Sequence, residues 1–227
     1  METKTAEHPY EITRERTTIT LPSGVRVAHP FYGPNNAKAL RDEIRADRLV
    51  EPNGPVAAEF LATAYNHDEP EFNEARDIMR NRYFRVFEGH NYDGDSQKLF
   101  IAEPDFDSNG RLMMQSAREL EKRIRKGDER VRVLPFTKLY DGVSKLSIPE
   151  EIARIRPYLE LVYGEEGAGQ LLDVGGKTKR KEIRTWFPNM PSPGHRELRI
   201  GALVEVFYAG RLDVGGYDDG LLEGGRA

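Results

Sequence analysis

The chain contains no cysteine. Without thiols it has no disulfide framework, no thiolate zinc site and no cysteine nucleophile, which fits a reducing cytoplasmic environment. It also lacks any apolar run approaching the ~20 residues that a transmembrane helix needs. Residues 1–16 are polar and charged where a signal peptide would need an apolar segment. We therefore expect a soluble, cytoplasmic protein with no membrane partner.

An excess of one charge sign is missing as well. The 34 basic residues nearly balance the 38 acidic ones, giving a net charge of -4 over 227 residues. No overall field therefore draws the protein to nucleic acid or to a membrane. Apolar runs persist along the chain, so the 32% of charged residues indicate a solvated surface around a folded core.

Motifs for catalysis and cofactor binding are scarce. The five histidines form no i, i+4 pair and no His-Glu-x-x-His motif, and no Gly-x-Ser-x-Gly elbow is present. The glycine-rich segment 164–169 lacks the Lys-Ser/Thr of a phosphate-binding loop, and Glu165 and Glu166 would repel a phosphate. We predict no cofactor, and the catalytic residues remain unknown.

The apolar spacing predicts one folded unit of mixed α and β structure. Residues 1–16 are predicted to be a flexible tail, and 17–227 a single α+β domain. Helical spacing dominates the first half of the chain, whereas β-type patterns recur later, at 158–163, 182–187 and 198–207. The expected architecture is a helix-rich N-terminal half packed on a mixed or antiparallel sheet, with a strand-rich C-terminal part.

One segment resembles a cofactor motif. Leu171-Leu172-Asp173-Val174-Gly175-Gly176-Lys177-Thr178-Lys179 resembles the first motif of S-adenosylmethionine-dependent methyltransferases, in which glycines approach the ligand where a strand turns into a helix. The resemblance covers nine residues and leaves a degenerate loop of that type as one alternative. However, Lys177 and Lys179 replace glycines, and the following residues favour a strand. About 50 residues follow, too few for several ~30-residue strand-helix units. We predict a Gly-Gly turn instead.

The pentapeptide Leu-Asp-Val-Gly-Gly recurs at 212–216. The residues that follow the two copies do not match, since Lys-Thr-Lys follows the first and Tyr-Asp-Asp the second. Genuine repeats share a hydrophobic period beyond the turn. We interpret the two copies as similar turns and not as a structural repeat.

Three local clusters of basic residues are candidate binding surfaces. The clusters at 76–85 and 118–132 are interleaved with aromatic or acidic residues that favour packing and i, i+4 ion pairs. The third cluster is the least neutralised and would contact phosphates. Its candidate nucleic-acid-binding residues are Lys177, Lys179, Arg180, Lys181, Arg184 and Trp186.

A second, weaker candidate is a metal site. Asp105, Asp107 and Asn109 alternate as oxygen ligands do at the start of a calcium loop, with Gly110 in sixth position. The twelfth position is Ser116 where a bidentate Glu is required, and the same residue types favour an ordinary turn.

The sequence thus predicts a non-enzymatic binding module whose partner is a protein or a nucleic acid. The alternative is an enzyme or ligand-binding protein with a carboxylate-lined metal or small-molecule site. That site would use acidic residues such as Asp105, Asp107, Glu165 and Glu166. Carboxylates that converge in one pocket would favour the enzyme, whereas scattered carboxylates beside a positive surface would favour binding.

Overall fold

The computed structural model describes residues 17–33, 36–81, 84–187, 191–206 and 210–217. The predicted tail, 1–16, lies outside these ranges. Five α-helices are described: α1 (Ala37–Ala46), α2 (Gly54–Asn66), α3 (Pro70–Asn81), α4 (Ala117–Arg125) and α5 (Pro149–Lys177). A short 3-10 helix covers Phe136–Lys138.

The strands form one large sheet and two small hairpins. The hairpins pair β1 (Thr17–Thr20) with β2 (Arg26–His29), and β5 (Asp105–Phe106) with β6 (Leu112–Met113). The large sheet contains β3 (Phe84–Asp93), β4 (Lys98–Ala102), β7 (Arg132–Pro135), β8 (Gly142–Lys145), β9 (Glu182–Trp186), β10 (Arg196–Val206) and β11 (Arg211–Tyr217). Its order is β7-β4-β3-β10-β11-β9-β8, and only the β9–β11 pair among these strands is parallel.

The first helices begin where their capping residues predict. The side chain of Asn36 accepts the N–H of Ala39 at the start of α1, and the side chain of Asn53 accepts the N–H of Val56 at the start of α2. Each cap satisfies one backbone donor that the helix itself leaves unpaired. Both helix starts are therefore set by nearby residues.

The sheet separates a large core from two smaller ones. Leu99 and Ile101 of β4 lie in the main core with residues of α2 and α5. Phe100 and Ala102, which alternate with them, pack against Leu120 of α4. A third cluster joins α1 to β3 and β10. The period-2 alternation of β4 therefore places helices against both faces of the sheet.

The mixed α+β class is confirmed, but the predicted order of elements holds only in part. Helices α1–α3 do come early, yet the longest helix, α5, lies in the C-terminal half, and the sheet begins at Phe84. The strand predicted at 158–163 is wrong, because these residues belong to α5. Its apolar side chains are buried against α2 and the sheet, and a short apolar run cannot distinguish a buried helix from a buried strand.

Helix α5 is interrupted once. The helical backbone breaks at Gly164, where φ is 75° and ψ is 169°, and not at Pro157, which lies within the helix. This conformation is open mainly to glycine. In the described part of the chain, no helix combines the length and apolar character needed to cross a membrane.

Candidate functional site

The two Leu-Asp-Val-Gly-Gly copies have different structures. The first, 172–176, belongs to the last turns of α5, and the second, 212–216, lies inside strand β11. Gly175 and Gly176 do not form the predicted turn, since the helix continues to Lys177 and the turn begins at Thr178. A helix precedes this turn and strand β9 follows it, the reverse of the strand-to-helix order that a dinucleotide-type loop requires.

Backbone hydrogen bonds fix the turn between α5 and β9 on two sides. The N–H of Lys181 donates to the carbonyl of Thr178 (3.1 Å), and the N–H of Arg180 donates to the carbonyl of Gly210 (2.8 Å). On the other side, the N–H of Leu146 donates to the carbonyl of Lys181 (3.0 Å). Lys181 itself has a φ of 55°. The turn is therefore held by the β10–β11 connection and by the segment between β8 and α5.

Four cationic residues lie on adjoining segments at this end of the sheet, and we call them the cationic corner: Lys145, Lys179, Arg180 and Lys181. All four residues are exposed. None of them forms an ion pair with a carboxylate of the described residues. Their positive charge is therefore directed to solvent or to a partner.

The other three predicted nucleic-acid-binding residues have intramolecular contacts. The ammonium of Lys177 lies 2.9 Å from a carboxylate oxygen of Asp173, one turn earlier in α5. Arg184 lies opposite the buried Asp213 in the β9–β11 register. The guanidinium of Arg199 lies 5.6 Å from the ring centre of Trp186. The structure therefore brings together three of the six predicted residues and places the other three in different contacts.

Lys145 is the member of the corner that sequence reasoning missed. It ends strand β8, which pairs antiparallel with β9 so that Lys145 lies opposite Glu182. No short-range pattern links residue 145 to the basic segment, because the connection runs through α5 and a long-range strand pairing. The exposed positive charge at the end of an edge strand was the only available signal.

Several cations of the other two basic clusters contact carbonyl or carboxylate groups of the protein itself. Arg76 donates to the backbone carbonyls of Ala64 and His67, where it satisfies groups near the end of α2. In the second cluster, Arg123 and Arg130 each lie 3.0 Å from the carboxylate of Asp128. Hydrogen bonds from Arg130 and then Arg123 hold the pKa of Asp128 well below its usual range. These cations are neutralised locally.

The predicted calcium-type residues lie in the β5–β6 hairpin. Asp107 Oδ1 accepts the N–H of Asn109 (2.8 Å) and the N–H of Arg111 (2.9 Å), which closes the turn. Asp105 is exposed on β5. Glu165 and Glu166 are exposed on α5, after its break at Gly164. Among the residues described, no three His, Asp or Glu side chains are arranged to hold a metal ion.

The comparisons with known proteins give no assignment. No known protein family, curated protein or solved structure matches this chain. The geometry of its own residues is therefore the basis for a functional proposal.

A buried polar cluster was also missed by the sequence. The carboxylate of Glu88 lies 2.8 Å from the guanidinium of Arg132 and accepts the N–H of Gly54 at the start of α2 (3.2 Å). Burial raises the pKa of Glu88, and the charge of Arg132 opposes this effect. Arg132 also donates to the carbonyl of Val162 (3.0 Å), just before the break in α5. This ion pair fixes α2 and α5 to the sheet.

His90 lies in the same core and is fully buried. Its Nε2 lies 3.1 Å from the hydroxyl of Tyr158. Burial lowers the pKa of His90 to about 3, so the imidazole is neutral at ordinary pH. A buried neutral histidine bonded to a tyrosine supports packing, and it makes the fold sensitive to acid.

Proposed function

We propose that the protein is a non-enzymatic binding module that contacts nucleic acid through the basic turn of the cationic corner, Lys179 to Lys181. One observation carries this proposal: these three side chains lie on one hydrogen-bonded turn, exposed and without an ion pair to the described residues. In the other two basic clusters, several cations are committed to carbonyls or carboxylates of the protein itself.

The chemistry of the corner suits phosphate groups. Lysine and arginine side chains that neutralise phosphates release condensed counterions, which supplies most of the affinity of sequence-independent binding. Because the backbone of the turn is already fixed, little main-chain order has to be gained on binding. The overall charge of -4 restricts such attraction to a local surface.

The carboxylate-based enzyme is the second candidate, and the positions of its residues favour it less. Asp105 and Asp107 lie on the β5–β6 hairpin, whereas Glu165 and Glu166 lie on α5. Asp107 already accepts two backbone N–H groups. An acidic protein surface would be a third kind of partner for the corner.

The test is a titration of the full chain into a fluorescently labelled mixed-sequence oligonucleotide at low salt, followed by anisotropy. We expect saturable binding by the wild type. The double variant Lys179→Glu with Arg180→Glu should bind at least about tenfold more weakly, because two attractive contacts become repulsive.

The matched control is Arg118→Glu with Lys126→Glu. Arg118 lies in the first turn of α4 and Lys126 at its C-terminal cap; both are exposed and make no ion pair with described residues, and their replacement changes the net charge by the same amount. The control should retain wild-type affinity. Absence of binding by the wild type at low salt would contradict the proposal, and equal weakening by both double variants would show that overall charge, not the corner, is responsible.

A further inference from the structure

We infer that Lys145 is a fourth phosphate contact and that the corner holds a nucleic acid by its sugar-phosphate backbone, independently of base sequence. This inference rests on the proposed function. It adds a residue from a distant part of the chain and states what kind of recognition the site performs.

The strand pairing places Lys145 beside the basic turn. β8 runs antiparallel to β9, and the residue after Lys145, Leu146, donates its N–H to the carbonyl of Lys181 (3.0 Å). Neighbouring strands lie about 4.8 Å apart, so the two lysine backbones are close neighbours. Lys145 therefore extends the row of cations from the turn onto the edge of the sheet.

Two carboxylates near Lys145 leave its ammonium available. Glu151 accepts the backbone N–H of Lys145 (2.6 Å), so this carboxylate is used in closing the segment between β8 and α5. Glu182 is half-buried opposite Lys145 in the strand register. Neither comes within 4.0 Å of the ammonium group. Glu182 nevertheless lowers the local positive potential, so its replacement by Gln should change the affinity in the direction opposite to Lys145→Gln.

The groups in the corner are suited to phosphates more than to bases. Ammonium groups act as point charges toward phosphate oxygens, and such contacts position a nucleic acid without reading its sequence. Base stacking needs an aromatic platform. Trp186, the aromatic residue predicted for that role, already has the guanidinium of Arg199 5.6 Å from its ring centre.

The experiment is the dependence of affinity on salt, measured by anisotropy with the full chain and two single-stranded oligonucleotides of equal length and different sequence. Each phosphate contact contributes about -0.7 to -0.9 to the slope of log K against log salt, so four contacts predict a slope of about -3. Lys145→Gln should make the slope shallower by about one. The two oligonucleotides should bind with equal affinity.

Two further variants sharpen the result. Lys126→Gln removes an exposed lysine at the end of α4, a helix that packs against β4, and should leave the slope unchanged because this lysine is not part of the corner. Glu182→Gln should tighten binding, since it removes the negative charge beside Lys145. Melting temperatures of all variants should stay close to that of the wild type, which separates loss of contact from loss of folding.

The outcomes distinguish the inference from the proposed function. Wild-type binding with an unchanged slope in Lys145→Gln would overturn the fourth contact and leave the proposed function standing. A clear preference for one oligonucleotide would overturn the backbone-only recognition. If the wild type does not bind either strand at low salt, the proposed function itself fails.

Discussion

The two Leu-Asp-Val-Gly-Gly segments have the same five residues and opposite environments. In the first copy, at the end of α5, Asp173 is exposed and Leu172 is half-buried, while Val174 and Gly175 are buried. In the second copy, in β11, all five residues are buried. A helix end places only one side of the segment on the core, whereas β11 is hydrogen-bonded to β10 on one side and β9 on the other.

The glycines of the two copies also differ in the atoms that surround them. A Cβ atom added at Gly175 would lie 2.6 Å from Cγ1 of Ile183, a side-chain atom. A Cβ atom added at Gly215 would lie 2.3 Å from the carbonyl oxygen of Trp186, a backbone atom of the paired strand. Both glycines permit a close approach, but only the first neighbour could rotate away. The second copy is therefore bound more firmly into the structure.

The environments of the two copies indicate different roles for the segments that contain them. The first copy leads into the exposed cationic turn. The second copy holds the centre of the sheet together. We therefore expect changes around the second copy to act on stability, and changes just after the first copy to act on binding.

Replacing the aspartate of each copy should give the largest difference in unfolding free energy between the two copies. Asp213 is 5% exposed and lies 2.8 Å from the guanidinium of Arg211; burial raises its pKa and hydrogen bonding from Arg211 lowers it. Asp213→Ala leaves Arg211 without its partner and should cost about 3 kcal/mol of unfolding free energy. Asp173→Ala removes an exposed i, i+4 pair with Lys177 and should cost under about 0.5 kcal/mol.

Urea unfolding of both variants measures this difference. Equal losses of unfolding free energy in Asp213→Ala and Asp173→Ala would contradict the view that the two copies have different structural roles. Circular dichroism of each variant before unfolding provides the control that the starting state is native.

A second effect, smaller for each pH unit than the loss in Asp213→Ala, is expected through His90 beneath the second copy. A Cβ atom added at Gly216 would lie 3.4 Å from Cβ of His90, so Gly216 faces this histidine. The pKa of His90 is lowered from 6.5 to about 3, hence its stabilising contribution is complete above pH 6.5 and is lost as pH falls toward 3. The unfolding free energy should fall by about 1.4 kcal/mol per pH unit within this window.

His90→Gln supplies the comparison, because it removes the titrating group and keeps a polar side chain near Tyr158. Its unfolding free energy, measured between about pH 6.5 and 5, where few carboxylates titrate, should change less steeply than that of the wild type. Parallel curves would show that His90 does not contribute to the acid sensitivity of the fold.

Local sequence predicted those features that depend on neighbouring residues. Strand β9 followed from its β-branched and aromatic residues. The exposed part of the basic segment, Lys179 to Lys181, was also recognised. Each of these features is determined within a few residues.

Features that depend on distant residues were not predictable. Lys145 joins the corner only through the β8–β9 pairing, and Arg184 lies opposite Asp213 only through the β9–β11 register. The Glu88–Arg132 pair likewise joins strands β3 and β7 to helix α2. The helix at 158–163 was mistaken for a strand because its burial comes from α2, which no local pattern reveals.

The most direct test of the account is amide hydrogen exchange of the full chain with and without a saturating oligonucleotide. Exchange reports protection segment by segment, so it compares the two copies in one experiment. We predict new protection at 178–181 and 145–146, with 212–216 unchanged because that strand is already buried. Protection at 76–80 or 118–132 without any at 178–181 would contradict the assignment of the cationic corner as the binding surface.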